Sequence, residues 1–194
     1  MSRFTETNLS FRYSLGETIG VRVTAVNEKG ASATPSDTSA GDATAKTVPA
    51  QMASDTIVRG QETSEYQVHV QWSELATEVE TGGSPITSYN LQWDQGTDGG
   101  SWTDLVGSSS NYALTEFTVS DGIVKGTTYL FKIRARNIYG WQTDFSDPSV
   151  AVAASDVPSQ MDPPTVSYDL ALDATAMKIE WTAPYANSEP VIDY

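Results

Sequence analysis

The chain has 194 residues, a formal net charge of −14 and no cysteine. This acidic balance opposes binding to nucleic acid and to anionic membranes, because both attract basic surfaces. The lack of cysteine excludes disulfides and thiolate zinc sites within these residues, and no apolar run is long enough for a membrane helix. We therefore predict no nucleic-acid partner and no membrane insertion within this segment.

The sequence repeats itself at an offset of about 109 residues, a pattern typical of arrayed modules. Val157–Met161 (VPSQM) corresponds to Val48–Met52 (VPAQM), and Trp181 corresponds to Trp72. One complete unit thus lies between two partial ones. The predicted units are residues 1–48, 49–157 and 158–194.

In the first unit, apolar and polar residues alternate from Ile19 to Asn27, which predicts a half-buried strand. Segment 31–47 is rich in Ser, Thr and Ala. Two interpretations of that segment stay open: a loose loop with an edge strand, or a carrier of O-linked sugar.

The middle unit, residues 49–157, contains a series of short alternating segments separated by Gly-rich and Ser-rich turns. The last unit repeats its first strands around Val166 and over Met177–Trp181. About seven short strands with frequent turns predict a β-sandwich. The predicted strands of the middle unit lie at Ile57, Tyr66–Trp72, Tyr89–Trp93, Trp102–Val106, Phe117–Val119, Tyr129–Asn137 and Val150–Val152.

Several of these residues together resemble the fibronectin type III family: Trp72 at a strand end, Pro85 before Tyr89, and the Gly126–Asn137 strand that contains Tyr129. The resemblance implies an all-β chain of tandem immunoglobulin-like sandwiches. It also implies that Trp72 packs between the two sheets and that the Tyr129 hydroxyl bonds back to the chain.

The long, Ser/Thr-rich repeat with its VPAQM and VPSQM linkers is also similar to repeats of very large surface proteins of protists. That resemblance implies an adhesive or structural role. It supplies no site residue.

No catalytic, metal or cofactor site is predicted. His69 is the only histidine, and strand alternation places it on the outer face, pointing to solvent. Glu74, Glu78 and Glu80 are scattered in a loop and suggest no acid–base pair. The segment Asp94–Gly100 superficially resembles a calcium loop but lacks the distal glutamate, so we predict a turn with glycines at positive φ.

A basic stripe is the first candidate interface. Lys132, Arg134 and Arg136 share the outer face of the sixth strand, in a chain with 11 basic residues. Either they pair with carboxylates such as Asp94, or they dock an acidic neighbour such as another copy of this chain.

Aromatic residues in the following loop are the second candidate. Tyr139 and Trp141 either fold back onto their own domain or form an interface, and the first unit has Ala31 in place of Trp141. Asn8 begins an N-glycosylation sequon, which a chain rich in Ser and Thr can contain by chance.

The partial units each expose half of a sandwich core, including Val21, Val23, Ile179 and Trp181. Either the chain is cut from a longer repeat protein, or strands are donated between copies. Joining the two ends would omit the equivalent of Asn90–Ser110, which favours the first explanation.

These observations favour a non-enzymatic structural or adhesive array of a large extracellular or cell-surface protein, with domains stacked into a filament. The expected partners are other repeats or copies of the same protein. Two alternatives stay open, a module that binds protein or glycan ligands and a spacer in a larger secreted enzyme. An intracellular cytoskeletal array is a further alternative for location.

Overall fold

A computed structural model describes residues 14–38, 43–168 and 176–194. Strands dominate these ranges, with one short helix and one 3-10 turn at Ser54–Thr56. The strands are β1 Val26–Asn27, β2 Gly30–Ala31, β3 Ile57–Arg59, β4 Val68–Trp72, β5 Ser88–Trp93, β6 Thr103–Val106, β7 Glu116–Val119, β8 Thr128–Tyr129, β9 Phe131–Asn137, β10 Gly140–Trp141, β11 Val152–Ala153, β12 Thr165–Tyr168 and β13 Met177–Glu180; the helix is α1, Glu78–Thr81.

The middle unit is a sandwich of two antiparallel sheets. One sheet has the order β3-β4-β7 and the other the order β10-β9-β5-β6. Where the predicted sixth strand loses its alternation at Leu130, it divides: β8 pairs with β11, whereas β9 pairs with β5 and β10. The predicted all-β sandwich is confirmed.

The core of the middle unit consists of the inward members of the alternating strands, because a period of two directs every second side chain to one face. Phe131, Ile133 and Ala135 of β9 are fully buried. Trp72 is 5% exposed and contacts the ring of Tyr89 edge-on, with centroids 5.9 Å apart. The sequence-based placement of Trp72 in the core is therefore confirmed.

The hydrogen bond expected of the Tyr129 hydroxyl is present as well. Tyr129 is buried, its ring stacks on Trp93 with centroids 5.3 Å apart, and its hydroxyl accepts a hydrogen bond from the Val124 N–H at 2.8 Å. Ile19 occupies the equivalent position of the first unit and has no hydroxyl to make this bond.

The described parts of the flanking units are small open sheets. β1 pairs with β2, and β12 pairs with β13 over four residues. The strand predicted from Ile19 is regular only over Val26–Asn27, although backbone bonds from Ser36 to Val23 and from Ser32 to Ala25 continue the pairing. No second sheet covers these faces within the described ranges.

Candidate functional site: the outer ladder and the joints between units

His69 does not point to solvent, so that prediction is wrong. The loop between β3 and β4 folds over the outer face of β4, and His69 is only 6% exposed. Its Nδ1 accepts a hydrogen bond from the Glu62 N–H at 3.4 Å, and its Nε2 lies 3.5 Å from the Glu116 carboxylate. The backbone of Gly60 packs against the ring so closely that a Cβ there would lie 2.2 Å from Nδ1. His69 has a structural role beneath a loop.

Asp94 anchors a turn. It is fully buried, one carboxylate oxygen accepts the N–H groups of Gly96 and Leu130, and the other accepts that of Gly99, at 2.9–3.0 Å. Gly96 and Gly99 both have a φ of 77°, as the prediction of a glycine turn required. Asp94 therefore does not pair with the basic stripe, and that expectation is wrong.

The basic stripe lies on the outer face of β9 as predicted, but its partners are aromatic rings. Cations and rings alternate along this face, an arrangement we call the cation–aromatic ladder. Its contacts, from cation to ring centroid, are Lys132 to Trp102 at 4.4 Å and to Phe145 at 5.0 Å, Arg134 to Phe145 at 4.5 Å and to Trp141 at 5.0 Å, and Arg136 to Trp141 at 5.6 Å. Such contacts contribute about 0.5–1 kcal/mol each at exposed sites.

Neighbouring charges and burial shift the pKa values of Lys132 in the ladder and of Asp104 beside it. Burial and then repulsion from Arg134 lower the pKa of Lys132, against the attraction of Asp104. For Asp104 itself burial acts to raise the pKa, but hydrogen bonds from the amides of Asn90 and Gln92, at 2.8 and 2.9 Å, outweigh it, so the pKa is lowered. Asp104, and not Asp94, is thus the carboxylate whose charge acts on Lys132 and Arg134.

Trp141 is half-buried against its own domain's ladder, whereas Tyr139 is half-exposed. The loop between β9 and β10 also lies near the preceding linker, because the Asn137 side-chain amide donates to the carbonyls of Thr47 at 2.7 Å and Thr81 at 2.9 Å. A contact of Trp141 with a neighbouring unit or another copy stays a prediction. Asn8 lies outside the described residues.

The joints between units are built alike. We call residues 45–50 with residues 78–83 the first joint, and residues 154–159 with residues 183–188 the second joint. In each, two linker N–H groups donate to carbonyls in the turn between the second and third strands of the following unit. The bonds are Thr47 to Gly82 at 3.0 Å and Ala50 to Glu80 at 2.8 Å in the first joint, and Asp156 to Asn187 at 3.0 Å and Ser159 to Tyr185 at 2.9 Å in the second.

The turns at the two joints share an unusual backbone conformation. Gly82 and Asn187 have φ values of 66° and 50°, in the left-handed region. A Cβ at Gly82 would lie 2.3 Å from the Thr47 carbonyl oxygen and 2.6 Å from that of Val48. At the second joint the Asn187 side chain instead donates to the carbonyl of Val157, the counterpart of Val48. The same carbonyl is thus approached by a glycine in one joint and bonded by an asparagine in the other.

A side-chain cluster distinguishes the second joint. Glu65 of the middle unit is 4% exposed. Its carboxylate lies 3.0 Å from Lys125 Nζ, accepts the Tyr185 hydroxyl at 2.9 Å and also accepts the Ser188 hydroxyl. Lys125 further donates to the Tyr66 hydroxyl at 2.8 Å. Two of the three groups on this carboxylate belong to the following unit.

The protonation states of this cluster are firmly set. The pKa of Glu65 is lowered, chiefly by the hydrogen bond from Ser188 and, against the opposing effect of burial, by Lys125 and Tyr185. The pKa of Lys125 is raised by its hydrogen bonds to Tyr66 and Glu65. Both groups are therefore charged at neutral pH.

Sequence reasoning missed the Glu65 cluster, because Glu65 and Tyr185 are 120 positions apart and no motif links them. It also missed the short helix α1, although the sequence contains a pattern that predicts a helix start. Thr77 and Glu80 have the spacing of a capping box, and the Thr77 Oγ1 and Glu80 carboxylate do bond each other's backbone N–H groups. Glu78 and Glu80 thus belong to a helical turn.

The described residues contain no group of three or more His, Cys, Asp or Glu side chains placed to hold a metal ion. Nor is any helix in the described ranges long and apolar enough to cross a membrane.

Comparison with solved structures finds a run of domains from titin, 23% identical over 57% of this chain and 33% of that one, with a TM-score of 0.43. Chicken CNTN1 FN1–FN3 domains are 16% identical, over 83% of this chain and 49% of that one, with a TM-score of 0.45. A titin module from human cardiac muscle is 27% identical over 56% of this chain and 92% of that one, with a TM-score of 0.39.

The chain therefore spans about a third of the length of the titin run of domains and about half of the length of the CNTN1 fragment. A family model, that of the fibronectin type III domain, matches residues 54–152, which is just over half of the chain and most of the sandwich described above. This chain belongs to the fibronectin type III family.

Proposed function

We propose that the chain forms part of a structural or adhesive array, in which non-catalytic sandwich domains stack end to end along a large extracellular or cell-surface protein and form a filament. Its partners in this array are other repeats of the same protein. The family that the chain belongs to consists of modules without catalytic activity of their own.

The observation that carries this proposal is the repetition of the joints. Both linkers donate the same pair of backbone hydrogen bonds to the same turn of the following unit. Because proline fixes φ in each linker, at Pro49 and Pro158, the connection is also stiff. A joint that repeats its bonds supports a repeated angle between units, which is what end-to-end stacking requires.

Small-angle X-ray scattering of the full chain tests this function. We expect the distance distribution of a rod, with a long tail, because units that stack end to end form an elongated particle. A compact, near-spherical distribution would contradict the array. Electron micrographs of the longer protein should then show regular end-to-end assembly.

A second candidate function is ligand binding at the cation–aromatic ladder, favoured by the alternation of cations with Trp102, Phe145 and Trp141 on one face. Saturable binding of a protein or glycan ligand that is lost on Trp141→Ala would support it. A catalytic domain elsewhere in the same gene would instead support the spacer alternative.

A further inference from the structure

The two joints share their backbone bonds but differ in their side chains. This difference can decide which following unit fits at a joint. Backbone bonds set the position of the following unit without reading its sequence. Any selection between units must therefore come from side chains at the joint. The second joint has such a set in Glu65, Lys125, Tyr185 and Ser188.

Contacts within the middle unit fix the position of the loop that carries Glu65. Arg59 donates to the carbonyls of Thr63, in the loop that carries Glu65, at 3.3 Å and of Ser155, at the start of the second joint, at 2.6 Å. This ties the loop to the linker. A buried carboxylate needs hydrogen bonds to remain ionised without penalty. Within its own unit Lys125 supplies one, and the following unit supplies the Tyr185 and Ser188 hydroxyls.

Given the array proposed above, we propose that Glu65 and Lys125 form a docking site for the turn of the following unit, and that this site accepts a turn carrying Tyr and Ser and rejects one carrying Glu. The partner is thus a unit of the same array with the chemistry of Tyr185 and Ser188.

The first joint supplies the contrast within the same chain. Glu80 and Gly83 stand where Tyr185 and Ser188 stand, and Leu15 stands where Lys125 stands. Leu15 packs at this turn, with its Cδ1 3.5 Å from where a Cβ of Gly83 would lie. Placed against Glu65, a turn of this type would add the negative charge of Glu80, whose carboxylate accepts the N–H groups of Ala76 and Thr77 in its own capping box. It would bring no hydroxyl at the positions of Tyr185 and Ser188. Like charges in close, partly desolvated contact oppose such a pairing.

The distance between spin labels on the two units tests the docking site in the full chain. Because the chain has no cysteine, Ser120→Cys and Ser167→Cys place single labels at exposed positions of the middle and following units. Double electron–electron resonance then reports how narrowly the angle between units is fixed. We expect a narrow distribution in the parent chain.

Tyr185→Phe and Ser188→Ala remove the donated hydrogen bonds and lie on the turn of the following unit, outside the core of the middle unit. We expect each to broaden the distribution, and Tyr185→Glu to broaden it most. Glu62→Gln changes an exposed carboxyl on the same loop as Glu65 and should leave it unchanged. Distributions that stay narrow in Tyr185→Glu would overturn the docking site while leaving the array intact. A broad distribution in the parent chain would instead contradict the array itself.

Acid supplies a second readout. Lys125, Tyr185 and Ser188 face the Glu65 carboxylate and Tyr66 faces Lys125; the pKa of Glu65 is lowered in the folded chain. The ionised Glu65 carboxylate therefore stabilises the docked joint fully above the ordinary glutamate pKa of about 4.3. This stabilisation is lost as the pH falls through the lowered pKa of Glu65 in the folded chain. The parent distribution should broaden in that range, and Glu65→Gln should be broad already at pH 7. A parent distribution that is unaffected by acid would contradict the proposal.

Discussion

Trp72 and Trp181 occupy corresponding positions of the repeat in two units, Trp72 as the last residue of β4 and Trp181 directly after β13, yet their surroundings differ. Trp72 is 5% exposed between two sheets, whereas Trp181 is 52% exposed beside a two-stranded sheet whose described part has no second layer. The local sequence is therefore sufficient to form the strand but does not bury its side chain. Burial, and with it stability, comes from the sheet that the rest of a unit supplies.

The largest test of this comparison is Trp72→Ala. We expect it to lower the free energy of unfolding of the middle unit by about 3–5 kcal/mol, because a large cavity opens in a packed core. Urea unfolding followed by circular dichroism measures the loss. Trp181→Ala is the matched control and should cost less than about 1 kcal/mol. Equal losses would mean that the two sites are equally packed.

A second test exchanges residues between the turns of the two joints. Gly82→Ala should cost about 1–3 kcal/mol, because it places a Cβ at positive φ against the Thr47 and Val48 carbonyls. Gly82→Asn should cost less, since Asn tolerates the left-handed region and already occupies it at position 187. Thermal unfolding of both variants measures the difference. If Asn were the worse substitution, the two turns would not be equivalent.

The Tyr129 hydroxyl is a difference between the middle unit and the first unit, which has Ile19 at this position. Tyr129→Phe removes the acceptor of the Val124 N–H and should cost about 1 kcal/mol, as loss of one hydrogen bond does. Tyr139→Phe, at a half-exposed ring, is the control and should stay within about 0.5 kcal/mol. The midpoint of denaturant unfolding reports both, and identical midpoints would remove the role assigned to this hydroxyl.

A smaller effect than that of Trp72→Ala is expected on the ladder. Trp141→Ala loses two contacts with cations and should lower stability by about 1–2 kcal/mol in total. The reverse change, Ala31→Trp, should add nothing to the first unit, because Val26 lies opposite Ala31 where Arg136 lies opposite Trp141. Unfolding curves of the two variants test both statements, and a gain from Ala31→Trp would show that packing alone accounts for the effect.

Alternation, turn residues and the internal repeat were enough to predict the strands, the sandwich and Trp72 in the core, whereas the bond of the Tyr129 hydroxyl was implied by the resemblance to the fibronectin type III family. These features depend on neighbours close in sequence or on a face of period two. His69 was misplaced because period two gives the face of a strand but not whether a loop covers that face. The bond of Asp94 with Leu130 and the bonds of Glu65 with the following unit join residues far apart in the chain, and no local pattern encodes them.

The pair of hydrogen bonds that is repeated at both joints involves only main-chain atoms, so this pair does not depend on which side chains a joint carries. Linker residues Thr47 and Ala50 become Asp156 and Ser159 in the next joint, and Glu80 becomes Tyr185, while every bond is kept. Side chains outside the joints are therefore free to diverge from unit to unit without altering these bonds. A long protein built in this way can present a different surface on each unit while the backbone bonds between successive units stay the same.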